Sequence, residues 1–400
     1  MNMRGLSGAL WRDRRLLAGA VVAVAAVAWL LLYKLGSLTG GLSAGELAAS
    51  GAPVGWHGIY DQPFHLPLEL ARSVLFFLFP DHGQTLTRLP NAFFGALAIA
   101  SFGGLIRLWH GRRTAILATA MFAAGAWTLH VSRLASFDIL YLWAFPALLL
   151  GHFALRRYYR NPYVWFGSLM TWGLLIYVPG MVWFAALDIW LQRRFIAGGW
   201  REARRWWMRV AYILAGLVWL PLLVAGLSRS PGTIRTWLGL PAHITTGWAL
   251  VKQFAEVPVH LFVSGPENPR SWLGHAPVLD IFALAACALG IYFYVTHWRA
   301  SRSHYLALLA AIGFVLVGLG GPVPLSLLVS LLYVSAATGL AYLLHEWLKI
   351  FPNNPLARGL GLGLIIVAVA LSCAYNYRAY FVAWPHAAAT KATFQYRRHH

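Results

Sequence analysis

Runs of about 15–22 predominantly apolar residues recur from residue 16 to residue 376, separated by short polar or arginine-bearing connectors. At ~1.5 Å of rise per residue, a helix of that length matches the ~30 Å hydrocarbon thickness of a bilayer. Lipid offers the backbone no hydrogen-bonding partners, so such runs are restricted to helices that satisfy their own N–H and C=O groups. Composition agrees: 59% of residues are hydrophobic and 11% charged, with a mean hydropathy of +0.61. A large soluble helical protein would need a polar face on most of its helices, and these runs lack one. Twenty Trp, 17 Tyr and 22 Phe supply the aromatic load of many interfacial anchors.

The pattern predicts an all-α polytopic membrane domain over 1–376. Spans are expected at about 16–35, 90–108, 115–131, 139–155, 208–226, 277–296, 305–320, 323–344 and 358–376. Residues 162–191 are too long for one crossing, and Pro179-Gly180 divides them, because a proline cannot continue the hydrogen-bond ladder. Two short helices bring the expected total to eleven crossings. HLPLELARSVLFFLFP, 65–80, has an apolar part of only about 14 residues and is expected to lie along the surface. It belongs to an outer loop at 36–89; a second polar outer loop spans 227–276, and 377–400 form a short outer-face tail. The first span follows Arg12, Arg14 and Arg15 without a small-residue cleavage pattern, and reads as an uncleaved helix.

Charge sets the expected orientation. With the N-terminus on the cytoplasmic side, the inner segments hold 20 of the 32 basic residues, and every arginine cluster between the spans falls on that side. An integral protein of a prokaryotic plasma membrane follows, N-terminus inside and C-terminus outside. The net charge of +20 does not indicate nucleic acid, because the basic groups are dispersed in short hinges and form no continuous footprint. They suit the headgroups of membrane lipids. WREARRWW, 200–207, reads as an amphipathic surface helix or an arginine-rich connector. Cys287 and Cys373 both lie in apolar runs, which argues against a disulfide framework or a cysteine metal site.

On this topology the acidic residues gather outside: Glu46, Asp61, Glu69, Asp81, Asp138, Glu256 and Glu267. Asp138 starts a span, where it serves either as a helix cap paired with Arg133 or as a carboxylate lining an outward cavity. Carboxylates suit glycosyl transfer by taking a proton from an acceptor hydroxyl or by orienting it. Arginines stabilise a phosphate leaving group as its charge builds, and Arg133, Arg72 and Arg88 are the candidates. In the second outer loop His243 and Trp248 are candidate sugar or acceptor contacts, although interface anchoring is the commoner use of tryptophan. No tight metal-ligand spacing occurs. A divalent metal stays open and no other cofactor is implied. The absence of a P-loop and of a dinucleotide fingerprint leaves soluble nucleotide chemistry without support.

The ordered segments LGSLTGGLSAGELAA, YDQPFHLPLELARSVLFFLFP, LTRLPNAFFGALAI and HVSRLASFDILYLWAF, with the break at IYVPG, resemble the polytopic glycosyltransferases of the GT-C fold. The likeness is to the branch of the protein O-mannosyltransferases and the lipid A aminoarabinose transferase, over about 35–195. It implies sugar transfer from a polyprenyl-phosphate donor to a glycan, lipid or protein acceptor on the non-cytoplasmic face, with inversion. It also implies catalytic roles for Glu46 and Asp138, with Asp61 in support, and acceptor or sugar contacts from His57, Tyr60 and Gln62. Where the family carries an Asp-Glu pair, this chain has Gly45 and Glu46. A family arginine falls at Ala48, and a lysine before proline falls at Gln62. The rival readings are a lipid-linked sugar transporter, for which no second half mirrors the Pro179 break, and a non-catalytic envelope assembly protein.

Overall fold

The computed structural model describes residues 3–50, 64–80, 83–158, 161–202, 206–220, 222, 231–267 and 273–396, and they are almost wholly helical. The helices are α1 (Met3–Leu32), α2 (Ala44–Ser50), α3 (Leu66–Leu78), α4 (Gln84–His110), α5 (Arg112–Ala124), α6 (Ala126–Arg133), α7 (Asp138–Arg157), α8 (Pro162–Leu175) and α9 (Met181–Glu202). There follow α10 (Trp206–Val218), α11 (Pro231–Trp237), α12 (Trp248–Phe262), α13 (Ile281–Thr296), α14 (Ser301–Gly318), α15 (Ser326–Ile350) and α16 (Pro355–Arg378). A π-turn at Ala379–Ala383 leads into α17 (Trp384–His386) and α18 (Ala388–Thr393).

Over its described residues, each apolar run read from the sequence falls largely on a helix or a bent helix pair. Among the described residues five helices are long and apolar enough to cross a bilayer, α4, α7, α14, α15 and α16 with the turns after it, and the α5–α6 pair makes a sixth. The spans buried inside the bundle are α7 and α15, each 78% buried, whereas the α16 span is 22% buried and faces outward. The outward surface is apolar, with Val21, Val24, Ile281, Leu364 and Leu371 all exposed. In water such a surface would drive association; against lipid tails it is at rest. The chain is an integral membrane protein.

Several elements follow local rules. α3 is a 13-residue helix with proline in its first turn, as expected of a surface segment. α8 and α9 are separated at Ile176–Gly180, where Gly180 adopts φ 78° and donates its N–H to Trp237 O at 2.9 Å. The expected span at 115–131 is instead two helices bent by 60° about Gly125. A Cβ there would sit 2.4 Å from the Tyr333 hydroxyl of α15. The segment 200–202 continues α9, so WREARRWW is divided between the end of α9 and the start of α10. The segment expected to form a second outer loop is partly helical, through α11 and α12.

Two buried polar clusters tie the bundle. Asp280 caps α13 through the N–H groups of Phe282 and Ala283, each at 3.0 Å. It also accepts from Ser372 (2.8 Å) and Asn376 (2.6 Å) of α16. On α9, Asp188 is paired with His152 of α7 and accepts from Tyr305 of α14 at 3.0 Å.

Candidate active site

Residues from six separate parts of the chain converge on one cavity of about 550 Å3 at one end of the bundle. Ser43 and Glu46 come from the first outer loop, and His65 from the entry to α3. Trp127 and His130 lie on α6, and Asp138 follows the α6–α7 link. Pro266 and Pro322–Leu325 come from later loops, and Phe394 from the C-terminal segment. All belong to segments, or outer helix ends, that charge had assigned to the outer side. Three other clefts, of about 660, 810 and 610 Å3, are lined by no carboxylate. The volume lies in the range of small-ligand sites.

Glu46 and Asp138 line this cavity together but in different states. Ser43-Ala44-Gly45-Glu46 forms a capping box: Glu46 N–H donates to Ser43 Oγ at 3.3 Å, and Ser43 N–H donates to Glu46 Oε2 at 3.0 Å. The same carboxylate takes Arg88 Nε at 2.8 Å and Nη2 at 3.0 Å, and its Oε1 also accepts the Ala135 N–H at 3.0 Å. Burial by itself would raise its pKa, but the charge and hydrogen bonds of Arg88 and the two backbone donors outweigh that and hold the carboxyl below its usual value. A carboxylate saturated by fixed donors is a weak proton acceptor, so the expectation of Glu46 as general base gives way to a structural role. Asp138 is half-buried at the first position of α7, and Ser326 Oγ, which accepts Trp127 Nε1 at 3.2 Å, stands 3.5 Å from its Oδ2.

The three arginines singled out as phosphate ligands are all drawn into the protein. Arg88 further donates to Leu35 O (3.0 Å), Thr39 Oγ1 (3.1 Å) and Gly41 O (2.9 Å), so every side-chain nitrogen is engaged. Arg133 donates to Leu30 O and Tyr33 O, both at 2.6 Å, closing the C-terminal turn of α1. These contacts occupy the donors of Arg88 and Arg133 that the phosphate reading had in view. Arg72 donates to Glu69 at 2.9 Å and packs over Phe137, with its guanidinium carbon 5.3 Å from the ring centroid. Its Nε has no partner.

Sequence reading overlooked His65. It adopts φ 62°, unusual for a residue with a side chain, and its N–H donates to Tyr177 O at 2.8 Å. Its ring stacks on Phe137 at 4.1 Å between centroids. Burial, with the charge of Arg72, depresses its pKa to about 3, so the imidazole in the cavity wall is neutral near pH 7. The HLP tripeptide signals a helix start, but nothing local says where that histidine points. His243 and Trp248 are exposed and are not among the cavity's lining residues. Asp61, His57, Tyr60 and Gln62 lie outside the described residues. No group of three His, Cys, Asp or Glu side chains among the described residues has metal-holding geometry; the steps below use none.

No protein-family model matches the chain, and no curated protein sequence matches it. Solved structures do. ArnT from Cupriavidus metallidurans, bound to undecaprenyl phosphate, aligns with a TM-score of 0.58 and 14% identity, covering 94% of this chain and 78% of that one. The chain has the GT-C fold. The oligosaccharyltransferase AglB from Archaeoglobus fulgidus, in complex with an inhibitory peptide and a dolichol-phosphate, aligns at 0.52 with 15% identity. The alignment covers 92% of this chain and 56% of AglB. In both comparisons the likeness extends well beyond residues 35–195, where the motif-level resemblance ended.

Proposed function

We propose that this GT-C chain is a membrane glycosyltransferase, moving a sugar from a polyprenyl-phosphate-linked donor to a glycan, lipid or protein acceptor. The reading includes eleven crossings, a prokaryotic plasma membrane, and the cavity at its non-cytoplasmic face. One observation carries it: a cavity at one end of a GT-C bundle that draws Glu46 and Asp138 from distant segments to one wall. Two GT-C neighbours were solved with polyprenyl phosphates bound, which supports the donor class.

Asp138 is the carboxylate assigned to the acceptor. The acceptor oxygen attacks the anomeric carbon, the bond from that carbon to the phosphate oxygen breaks, and the acceptor proton passes to Asp138 while the phosphate leaves with the bonding pair. A single displacement inverts the anomeric centre. The first turn of α7 opens onto the cavity, and the positive end of its helix dipole favours the negative charge gathering on the phosphate. Arg72, paired with Glu69 and packed over Phe137, supports the wall from behind. Glu46 holds the first outer segment against α4, fixing the wall in which Asp138 works.

The test is transfer of labelled sugar from crude polyprenyl-linked donors by purified wild type and Asp138→Asn. Loss of rate of roughly a hundredfold or more is expected, with unfolding behaviour unchanged. Undiminished transfer by a folded D138N protein would remove Asp138 from the reaction, and absence of transfer by wild type from every donor pool would overturn the transferase reading.

A further inference from the structure

The end of the bundle opposite the cavity carries a cleft of contrary character. α4 and α15 both begin near the cavity and run 27 and 25 residues away from it, about 40 Å at the helical rise. Their far ends, with the starts of α5 and α16, enclose a cleft of about 610 Å3. Arg112, Arg113, Arg358, His110 and His345 line it, with Trp347 in the wall. None of the lining residues is acidic, and no ion pair among the described residues engages the three arginines. All three are exposed, and Arg358 donates one bond, to Pro352 O at 3.2 Å.

The cations stand beside hydrocarbon-compatible surface. Leu344, Leu348 and Leu362 belong to the cleft, and Leu356 and Leu360 on the adjoining turns of α16 are 83% and 61% exposed. Guanidinium groups match phosphate oxygens in geometry as well as charge, and tryptophan favours the headgroup level of a bilayer. A soluble anion would satisfy the arginines and leave the leucines bare. A phosphate attached to acyl chains satisfies both.

We propose that this cleft binds the phosphate of an anionic glycerophospholipid in the leaflet opposite the candidate cavity, its acyl chains lying along the exposed face of α16. The arginines hold the phosphate, and the glycerol backbone lies beside Trp347. This assignment is independent of the transferase reading, since it concerns the other end of the bundle.

The experiment is titration of delipidated full-length protein in neutral detergent, followed by native mass spectrometry, with phosphatidylglycerol and phosphatidylcholine as probes. Wild type is expected to bind phosphatidylglycerol more tightly by roughly tenfold or more, each basic residue near an anionic headgroup contributing several-fold. The triple variant R112Q/R113Q/R358Q loses that preference. R156Q/R194Q/R299Q, which removes the same charge from exposed positions outside the cleft, keeps it. Where the first triple variant does not fold, Arg358→Gln alone is read, with a loss of several-fold expected. A preference that survives in the cleft variant, or falls equally in both triples, overturns the site. Displacement of phosphatidylglycerol by equimolar inorganic phosphate reassigns the cleft to a soluble anion and overturns the lipid.

Discussion

At Glu46 a capping box and a buried ion pair act on the same carboxylate. Removing either partner leaves the other charge buried, which costs on the order of 3–5 kcal/mol, whereas removing both leaves neither stranded. Glu46→Gln and Arg88→Met are each expected to lower stability strongly, and the double variant to lose clearly less than the sum. Denaturant unfolding in a fixed detergent reads this, and additive losses would show that the pair is not coupled. The serine three residues before Glu46 is a local capping signal that the sequence reading passed over. The arginine 42 residues from Glu46 leaves no such local signal, because side-chain pairing across that separation depends on how α2 is laid against α4.

His65 gives a prediction in pH. Its native pKa of about 3 lies below the ordinary 6.5, so between those values the unfolded chain binds a proton that the folded chain does not. Its contribution to stability is therefore complete above about pH 6.5 and is lost progressively as pH falls through that window. The Glu46 contribution starts to fall only around the ordinary carboxyl value of 4.5 and below. Melting measured between about pH 7 and pH 5 in both proteins reads the histidine by difference: wild type should lose stability on acidification, and His65→Gln distinctly less. Equal slopes would remove His65 from the balance.

Among the elements, α13 and α15 meet through glycine. A Cβ on Gly290 would lie 1.8 Å from Ser335 O, and one on Gly339 would lie 1.9 Å from Ala286 O. Backbone cannot yield as a flexible side chain does, so Gly290→Ala should destabilise by about 1–3 kcal/mol or more. Gly339→Ala should do the same, and because the glycines touch, the double variant should fall short of additivity. An unchanged melting temperature in both would show that the helices separate without cost. The short helix α3 and the break at Pro179-Gly180 were legible because length and a missing N–H are local properties. The bend at Gly125 was not, since it is fixed by Tyr333, 208 positions further on in the chain.

For the whole molecule, the C-terminal segment decides how the cavity closes. Tyr396 and Leu42 exchange backbone bonds at 2.8 and 3.1 Å, Phe394 lines the cavity, and Gly41 lies flush against the Phe394 carbonyl. Truncation before Phe394 is expected to loosen 36–50, seen as faster amide hydrogen exchange there with the spanning helices unaffected. Unchanged exchange at 36–50 would mean that the tail only decorates the surface.

What the chain determined by itself was its solvent and its repertoire: long uncharged runs admit only helices in lipid, and the bias of arginine assigns their ends. That separated the segments that meet at the cavity from those that cannot, because both properties belong to contiguous stretches. Only tertiary structure decided that Glu46 is latched and Asp138 half-buried, and that two of the three candidate arginines are spent on carbonyls and, for Arg88, on Glu46. Whether a charged group is free to act depends on how many donors or acceptors surround it in space, and those come from helices whose packing no local stretch encodes.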